Sequence, residues 1–231
     1  MDRYSTDILG LSEVRWPKNG KITLQSGRAM LYSGREDGLH KEGVGIILSN
    51  KAKKSLMEWK PIDERLMYAR FFTTSLKISI VVVYSPTNES AEEVKEAFLE
   101  QLQSVINNIP KHDVLLIIGD FNAKVGRNNE GHESAMGKHG IGERNDNGER
   151  LLDMFEISNL VITGTIFPHK QRHKISWISP DGKTENQVDH VIVSKQHRTL
   201  ILDTRAMRGA NASSDHELIR SKVRIKLKKH K

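Results

Sequence analysis

The chain has 231 residues, 37% hydrophobic and 28% charged, with no cysteine and a formal net charge of +7. That length supplies a core for one large domain or two small ones, and without cysteine neither disulfides nor thiolate metal sites can form. No apolar run approaches the roughly 18 residues of a membrane span and no apolar signal segment follows the first residues, so the expectation is a soluble intracellular chain in a reducing compartment, with no membrane partner.

The charge is local. Seven basic residues and no acidic one lie between Arg220 and Lys231, and without them basic and acidic residues balance at 29 each. Val223, Ile225 and Leu227 alternate there with Arg224, Lys226 and Lys228, so the tail reads as the start of a strand with a solvated basic face. The same face is able to contact phosphate.

From the N-terminus, Ile8 to Leu11 is a short apolar strand that delivers Glu13 just past its end. Ala29–Tyr32 and Val44–Leu48 are strand candidates on either side of a charged, glycine-rich loop. Leu66–Thr74 and Ile78–Tyr84 read as paired strands turning at Ser75–Lys77, and Pro86 stops the ladder beyond Tyr84. Ser90 with Glu93 three residues on is a capping box. Val94, Phe98, Leu102, Val105 and Ile109 then recur on one face of a helix, which closes before Pro110. Strand, helix and strand suggest a crossover unit.

Val114 to Ala123 is the central stretch. Its apolar run reads as a strand buried on both faces, broken by Gly119. Along an extended chain Asp120 and Asn122 would share a face about 7 Å apart. Gly-Asp-x-Asn is also ordinary turn chemistry, while in open α/β sheets ligands meet the carboxyl ends of strands. The polar stretch 126–147 reads as a long loop, functional or mobile. Gly148–Phe155 follows as a helix with Leu151, Leu152 and Phe155 on one face, and Val161–Ile162 as a short strand.

His169 and His173 have the spacing of helical metal ligands. Pro168 and the basic neighbours argue against a helix and no third ligand is evident nearby, so zinc is not expected there. Ile175–Ile178 is a short strand before a Ser179–Gly182 turn. In Val188–Val193, Asp189 shares a face with Val191 and Val193, which is costly for a carboxylate unless it is paired. Its partner is sought in Ser213-Ser214-Asp215-His216, just ahead of the final strand.

Taken in order, Leu11-Ser12-Glu13, Val83-Tyr84-Ser85-Pro86, Gly119-Asp120-Phe121-Asn122, Ser176-Trp177, Val188-Asp189-His190 and Ser214-Asp215-His216 resemble the endonuclease/exonuclease/phosphatase superfamily. The likeness spans nearly the whole chain. The phrases at 142–149, 164–170 and 184–190 are similar to RTE-type LINE retrotransposon endonucleases and a host protein of that lineage.

The resemblance implies a four-layer α/β sandwich, two mixed sheets flanked by helices, in a single domain over 1–231 with a basic tail at 220–231. It implies a Mg²⁺- or Mn²⁺-dependent endonuclease that nicks DNA, with a nuclear or cytoplasmic location. Glu13 would be a hard oxygen ligand for the metal, and Asp215 would lie near the metal and the leaving group. Asp120 would orient or deprotonate the attacking water, and Asn122 would hold that water and the phosphate. His216 would bind phosphate with Asp189 on its other ring nitrogen, which keeps the imidazolium charged. Tyr84 and Ser176 would donate hydrogen bonds to phosphate oxygens.

The chain departs from the family pattern in two places. Ser176 stands where relatives commonly carry Thr, and the family's first strand, with an active-site Asn, and the helix after it have no counterpart ahead of Ile8. Two other readings therefore stand beside the endonuclease. One is a catalytically impaired, host-derived protein that binds nucleic acid or a partner; the other is a phosphatase of the same fold.

Overall fold

A computed structural model describes residues 1–210 and 214–229. Ser213, His230 and Lys231, which the readings above include, lie outside the described residues. The chain divides into two compact units, Met1–Tyr84 with Asn108–Gly119 and Ile225–Lys231, and Ser85–Asn107 with Asp120–Arg224.

In the first unit, β1 (Ile8–Leu11), β2 (Asn19–Thr23), β3 (Ala29–Ser33) and β4 (Val44–Leu48) form an antiparallel sheet in the order β1-β4-β3-β2. A short helix α1 (Asn50–Ser55) follows, its N-terminus capped by the Ser49 hydroxyl, which accepts from Ala52 N. Then β5 (Leu56–Pro61), β6 (Leu66–Phe72), β7 (Lys77–Tyr84) and β8 (Val114–Asp120) are successive neighbours in a second sheet. β6 and β7 pair antiparallel, as their alternation implied. β2, α1 and β5 were not legible: β2 is Asn-Gly-Lys-Ile-Thr, a turn-like composition that becomes a strand by pairing with β3.

The apolar faces of this unit fill with Leu31, Ile46, Leu48, Leu66, Met67, Phe71, Val81 and Ile117, all shut off from solvent. One charged group is buried among them. Asp113, 4% exposed, accepts from Arg70 Nε at 2.7 Å, Arg70 Nη2 at 3.0 Å and Ser79 Oγ at 2.8 Å, which ties β6 and β7 to the turn before β8.

The second unit holds α2 (Glu92–Asn108) up to its last residue, α3 (Asp146–Ile157), and three antiparallel strand pairs. These are β9 (Leu160–Ile162) with β12 (Asp189–Ser194), β10 (Trp177–Ile178) with β11 (Glu185–Asn186), and β13 (Ile201–Met207) with β14 (Leu218–Val223). On α2 the expected face is only partly used: Phe98 and Leu102 are buried but Val94 is exposed. Lys95 is buried instead because its ammonium reaches Asp146 at the start of α3, 2.7 Å away. Ser90 is not the cap. Its hydroxyl bonds that of Thr87, and the first turn of α2 closes on the carbonyl of Ala91.

Two further readings change. The loop ahead of α3 is packed, with His132, Ala135 and Met136 buried and Met136 bridged to Ile162. The final strand lies upstream of the tail, at β14. Beyond it a single bridge joins Leu227 to Thr73, although Arg224, Lys226 and Lys228 still face solvent in alternation with half-buried Ile225 and Leu227. Among the described residues, no helix is long and apolar enough to cross a membrane.

Replacing Arg70 by Met leaves the Asp113 carboxylate buried without its cation, and we expect a loss of about 3 kcal/mol or more in denaturant unfolding. Pairing it with Asp113→Leu should recover part of that loss, because no unpaired charge then remains.

Candidate active site

The site begins where β8 ends. Gly119 has φ of 143°, and a Cβ there would sit 2.0 Å from the Val83 carbonyl oxygen, so no other residue fits between β7 and β8. Asp120 follows, 5% exposed. Asn122 has φ of 47°, outside the extended region, so Asp120 and Asn122 do not share a strand face as an extended reading requires. They form an Asx turn: Asn122 N donates to Asp120 Oδ1 at 2.9 Å.

A ring of amides holds this turn. Asn122 Nδ2 donates to the Ser85 carbonyl at 3.0 Å, and Asn122 O accepts from Asn145 Nδ2 at 3.3 Å and Asn147 Nδ2 at 3.2 Å. Asn147 Nδ2 also bonds the Pro86 carbonyl at 3.0 Å. Asn145 is the N-cap of α3, its Oδ1 accepting from Gly148 N and Lys124 N, both at 2.9 Å. From the other side buried His190 donates from Nε2 to Ala123 O at 2.8 Å, and burial pushes its pKa down, so the ring is neutral. Asn145, Asn147 and His190 were not singled out as site residues. Their signal was the run Arg144-Asn145-Asp146-Asn147-Gly148 and the histidine beside Asp189.

Asp189 and His216 form the second part. Asp189 Oδ2 lies 2.9 Å from His216 Nδ1. One ligand-type atom each from Asp120, Asp189 and His216 falls within 4.8 Å of the others. Burial works against charge on His216, but its bond to Asp189 and the carboxylates of Asp189, Asp120 and Asp215 prevail and push its pKa up to about 9. Without a metal ion the trio is a charge cluster, a ring that favours its protonated form beside two acids.

Backbone pairing brings the pair into register. Trp177 bridges His216, Ile178 N donates to Asp215 O at 3.1 Å, and Glu217 N to Ser176 O at 2.7 Å. Ser176 is fully buried, and its hydroxyl accepts from Val188 N at 2.9 Å and Asp189 N at 3.0 Å. It therefore positions Asp189 through the backbone. Asp215 is exposed, stands outside the trio, and accepts from Trp177 Nε1 at 2.9 Å.

Within the first unit, Glu13 sits beyond β1 with φ of 54°. Its two oxygens receive Tyr84 OH at 2.7 Å and Arg15 Nη2 at 2.7 Å. The Tyr84 hydroxyl thus stands against Glu13, and the Arg65 guanidinium lies 5.2 Å over the Tyr84 ring. A half-exposed carboxylate held by two donors suits a hard cation such as Mg²⁺, which keeps several waters and takes one or two protein oxygens. His169 and His173 go to separate partners, Asp203 Oδ1 at 2.6 Å and Ala206 O at 3.4 Å.

Residues 78–220 match the family model described as Endonuclease-reverse transcriptase. That is more than half of the chain, and the chain belongs to this family. Craniofacial development protein 2 of Bos taurus is 34% identical over 228 residues; the match covers 99% of this chain but only 38% of that protein's length. Among solved structures, the 3′ phosphatase NExo from Neisseria, bound to a product DNA hairpin, superposes with a TM-score of 0.67 at 17% identity, covering 94% of this chain and 88% of that one. The endonuclease domain of TRAS1, a telomere-specific non-LTR retrotransposon, gives 0.66 at 16% identity over 96% and 88%. These likenesses show the mixed α/β fold of the endonuclease/exonuclease/phosphatase superfamily.

The pKa of His216 is raised in the folded chain. The folded chain binds this proton more tightly than the unfolded chain, so the stabilisation is complete below about pH 6.5. It is lost as pH rises through about 9. NMR titration of the His216 ring should show a midpoint near that value, and Asp189→Asn should bring it down and flatten the fall in stability between the two.

Proposed function

We propose that the chain is a Mg²⁺-dependent endonuclease of retrotransposon origin that hydrolyses DNA phosphodiester bonds. The observation that carries this reading is the His216 ring, held by Asp189 beside the buried carboxylate of Asp120. A fixed cation offsets the charge that grows on a non-bridging phosphate oxygen as a water oxygen bonds to phosphorus. Asp120 accepts the proton of that water, the bond from phosphorus to the leaving oxygen breaks, and the leaving oxygen takes a proton from solvent. Asn122, anchored through Ser85, offers its remaining amide proton to the phosphate. Glu13 and Asp215 are each candidate carboxylates for Mg²⁺, which when bound supplies Lewis acidity and positive charge. The DNA hairpin bound by one structural neighbour and the retrotransposon source of another support DNA as the substrate. We assign the 231 residues to one endonuclease domain and, from the lineage, to the nucleus.

One observation favours a second reading. Lys222, Arg224, Lys226 and Lys228 are all exposed at alternating positions, a basic stripe suited to phosphate contact without chemistry.

Supercoiled plasmid incubated with Mg²⁺ or EDTA separates the two. The wild type should nick only with Mg²⁺, and Asp120→Asn, His216→Ala and Glu13→Ala should each slow nicking by about 100-fold or more. A folded wild type that leaves the plasmid closed, yet retards it in a salt-dependent gel shift, would sink the endonuclease reading in favour of binding.

A further inference from the structure

Away from the charge cluster, a second set of ligand-type side chains lies between the loop ahead of α3 and α3 itself. The loop turns at His132, whose N–H donates to Asn129 O at 2.9 Å and whose carbonyl accepts from Ala135 N and Met136 N, both at 3.0 Å. His132 is only 9% exposed. Its Nε2 lies 3.3 Å from Glu149 Oε1. Arg144 holds Glu149 through a 2.9 Å bond to Oε2 and keeps its carboxyl below the usual range. A carboxylate only accepts, so Nε2 carries the hydrogen, and in the neutral ring Nδ1 carries a lone pair.

That lone pair has no hydrogen-bond partner and is enclosed. It faces Glu156 Oε1 at 3.5 Å. Two lone-pair atoms face to face repel unless a positive charge stands between them, either a proton or a metal ion. N and O ligands on one tetrahedral Zn²⁺, each about 2.0–2.1 Å from it, are roughly 3.3–3.4 Å apart, close to the 3.5 Å between Nδ1 and Glu156 Oε1. Asp153 lies three residues before Glu156, on the same face of α3. One ligand atom from each of His132, Asp153 and Glu156 falls within 4.8 Å of the others. Ser134 Oγ donates to Glu156 Oε1 at 3.2 Å.

We propose that His132 Nδ1, Asp153 and Glu156 form a zinc-type divalent-cation site that clamps the loop ahead of α3 to that helix. Three protein ligands leave the fourth tetrahedral position to water. Glu149, on the far ring nitrogen, plays the part that carboxylates play behind metal-bound histidines, fixing the tautomer and the ring plane. A nitrogen donor and small coordination number select Zn²⁺ over Mg²⁺, which takes six oxygens. The site is separate from the Mg²⁺ carboxylates named above. Its consequence is structural: the clamped loop runs into Asn145 and Asn147, which hold the turn carrying Asn122.

Metal-stripped full-length protein titrated with Zn²⁺, Co²⁺ or Mg²⁺ tests this without any activity assay. Equilibrium dialysis should give one tightly bound Zn²⁺ per chain, and a hundredfold excess over Kd should raise Tm by about 5 °C or more. Co²⁺ should give the strong visible absorption of a tetrahedral site, and Mg²⁺ at the same concentration should do neither. His132→Gln, Asp153→Asn and Glu156→Gln should each weaken Zn²⁺ binding at least about tenfold. Asp153 is exposed, so its variant tests the site even if His132→Gln fails to fold. No Zn²⁺-dependent rise in Tm, or Zn²⁺ binding equally tight in Asp153→Asn and Glu156→Gln, would overturn the proposal. A failure here leaves the plasmid result untouched.

Discussion

A carboxylate at the head of β12 can be taken out of water only if a cation comes with it, and the hydrogen bond from His216 to Asp189 meets that condition. Much of the second unit is arranged to make this bond. Ser176 supplies an acceptor to the amides of Val188 and Asp189, so the backbone behind the carboxylate is fixed. The two-residue strand β10 pairs with the segment at Asp215–Glu217 and sets the imidazole in register. Residues with no chemical role of their own thereby determine where the one stable positive charge of the cluster sits. Ser176, a hydroxyl in a conspicuous motif, belongs to this support through the two amides it accepts.

The turn after β8 follows a similar principle with neutral groups. Asp120 must leave the strand at a defined angle, and Asn122 can take a left-handed conformation because asparagine tolerates it better than branched residues do. Three carbonyls around that turn, from Ser85, Pro86 and Asn122, are satisfied by side-chain amides from Asn122, Asn145 and Asn147. Buried amide-to-carbonyl bonds are costly to leave half made. The N-terminus of α3 and the acid at the end of β8 are thus coupled mechanically. That coupling gives the packed loop ahead of α3, and any ion that clamps it, a physical route to the candidate site.

Glu13 shows how the same logic works at the end of β1. It sits in a left-handed conformation, with tyrosine and arginine donors on its two oxygens, an arrangement that fixes the carboxylate before any ligand arrives. Membership of the endonuclease-reverse transcriptase family gives these fixed acids a chemical context. The chain spans about 38% of the length of the curated relative it matches, so the activities of those longer proteins pass to it only as proposals.

Much was legible without coordinates because it depends on local pattern. The apolar runs at β1, β3, β4, β6, β7, β8 and β12 and the helical face of α3 follow from side-chain periodicity, which is a property of neighbours in the chain. The acids and histidine at strand ends were found because buried strands place polar residues there for a reason. Tertiary structure decided what local pattern leaves open. β2, β5 and β13 are strands only because a partner strand completes their hydrogen bonds, and Ser90 bonds Thr87 while α2 starts on the carbonyl of Ala91. Asn122 left the strand, Tyr84 bonded Glu13, and Ser176 turned inward. Each of these depends on which donor meets which acceptor, from two residues apart in the Asx turn to 71 for Tyr84 and Glu13, and such pairing carries no periodicity for a sequence to display.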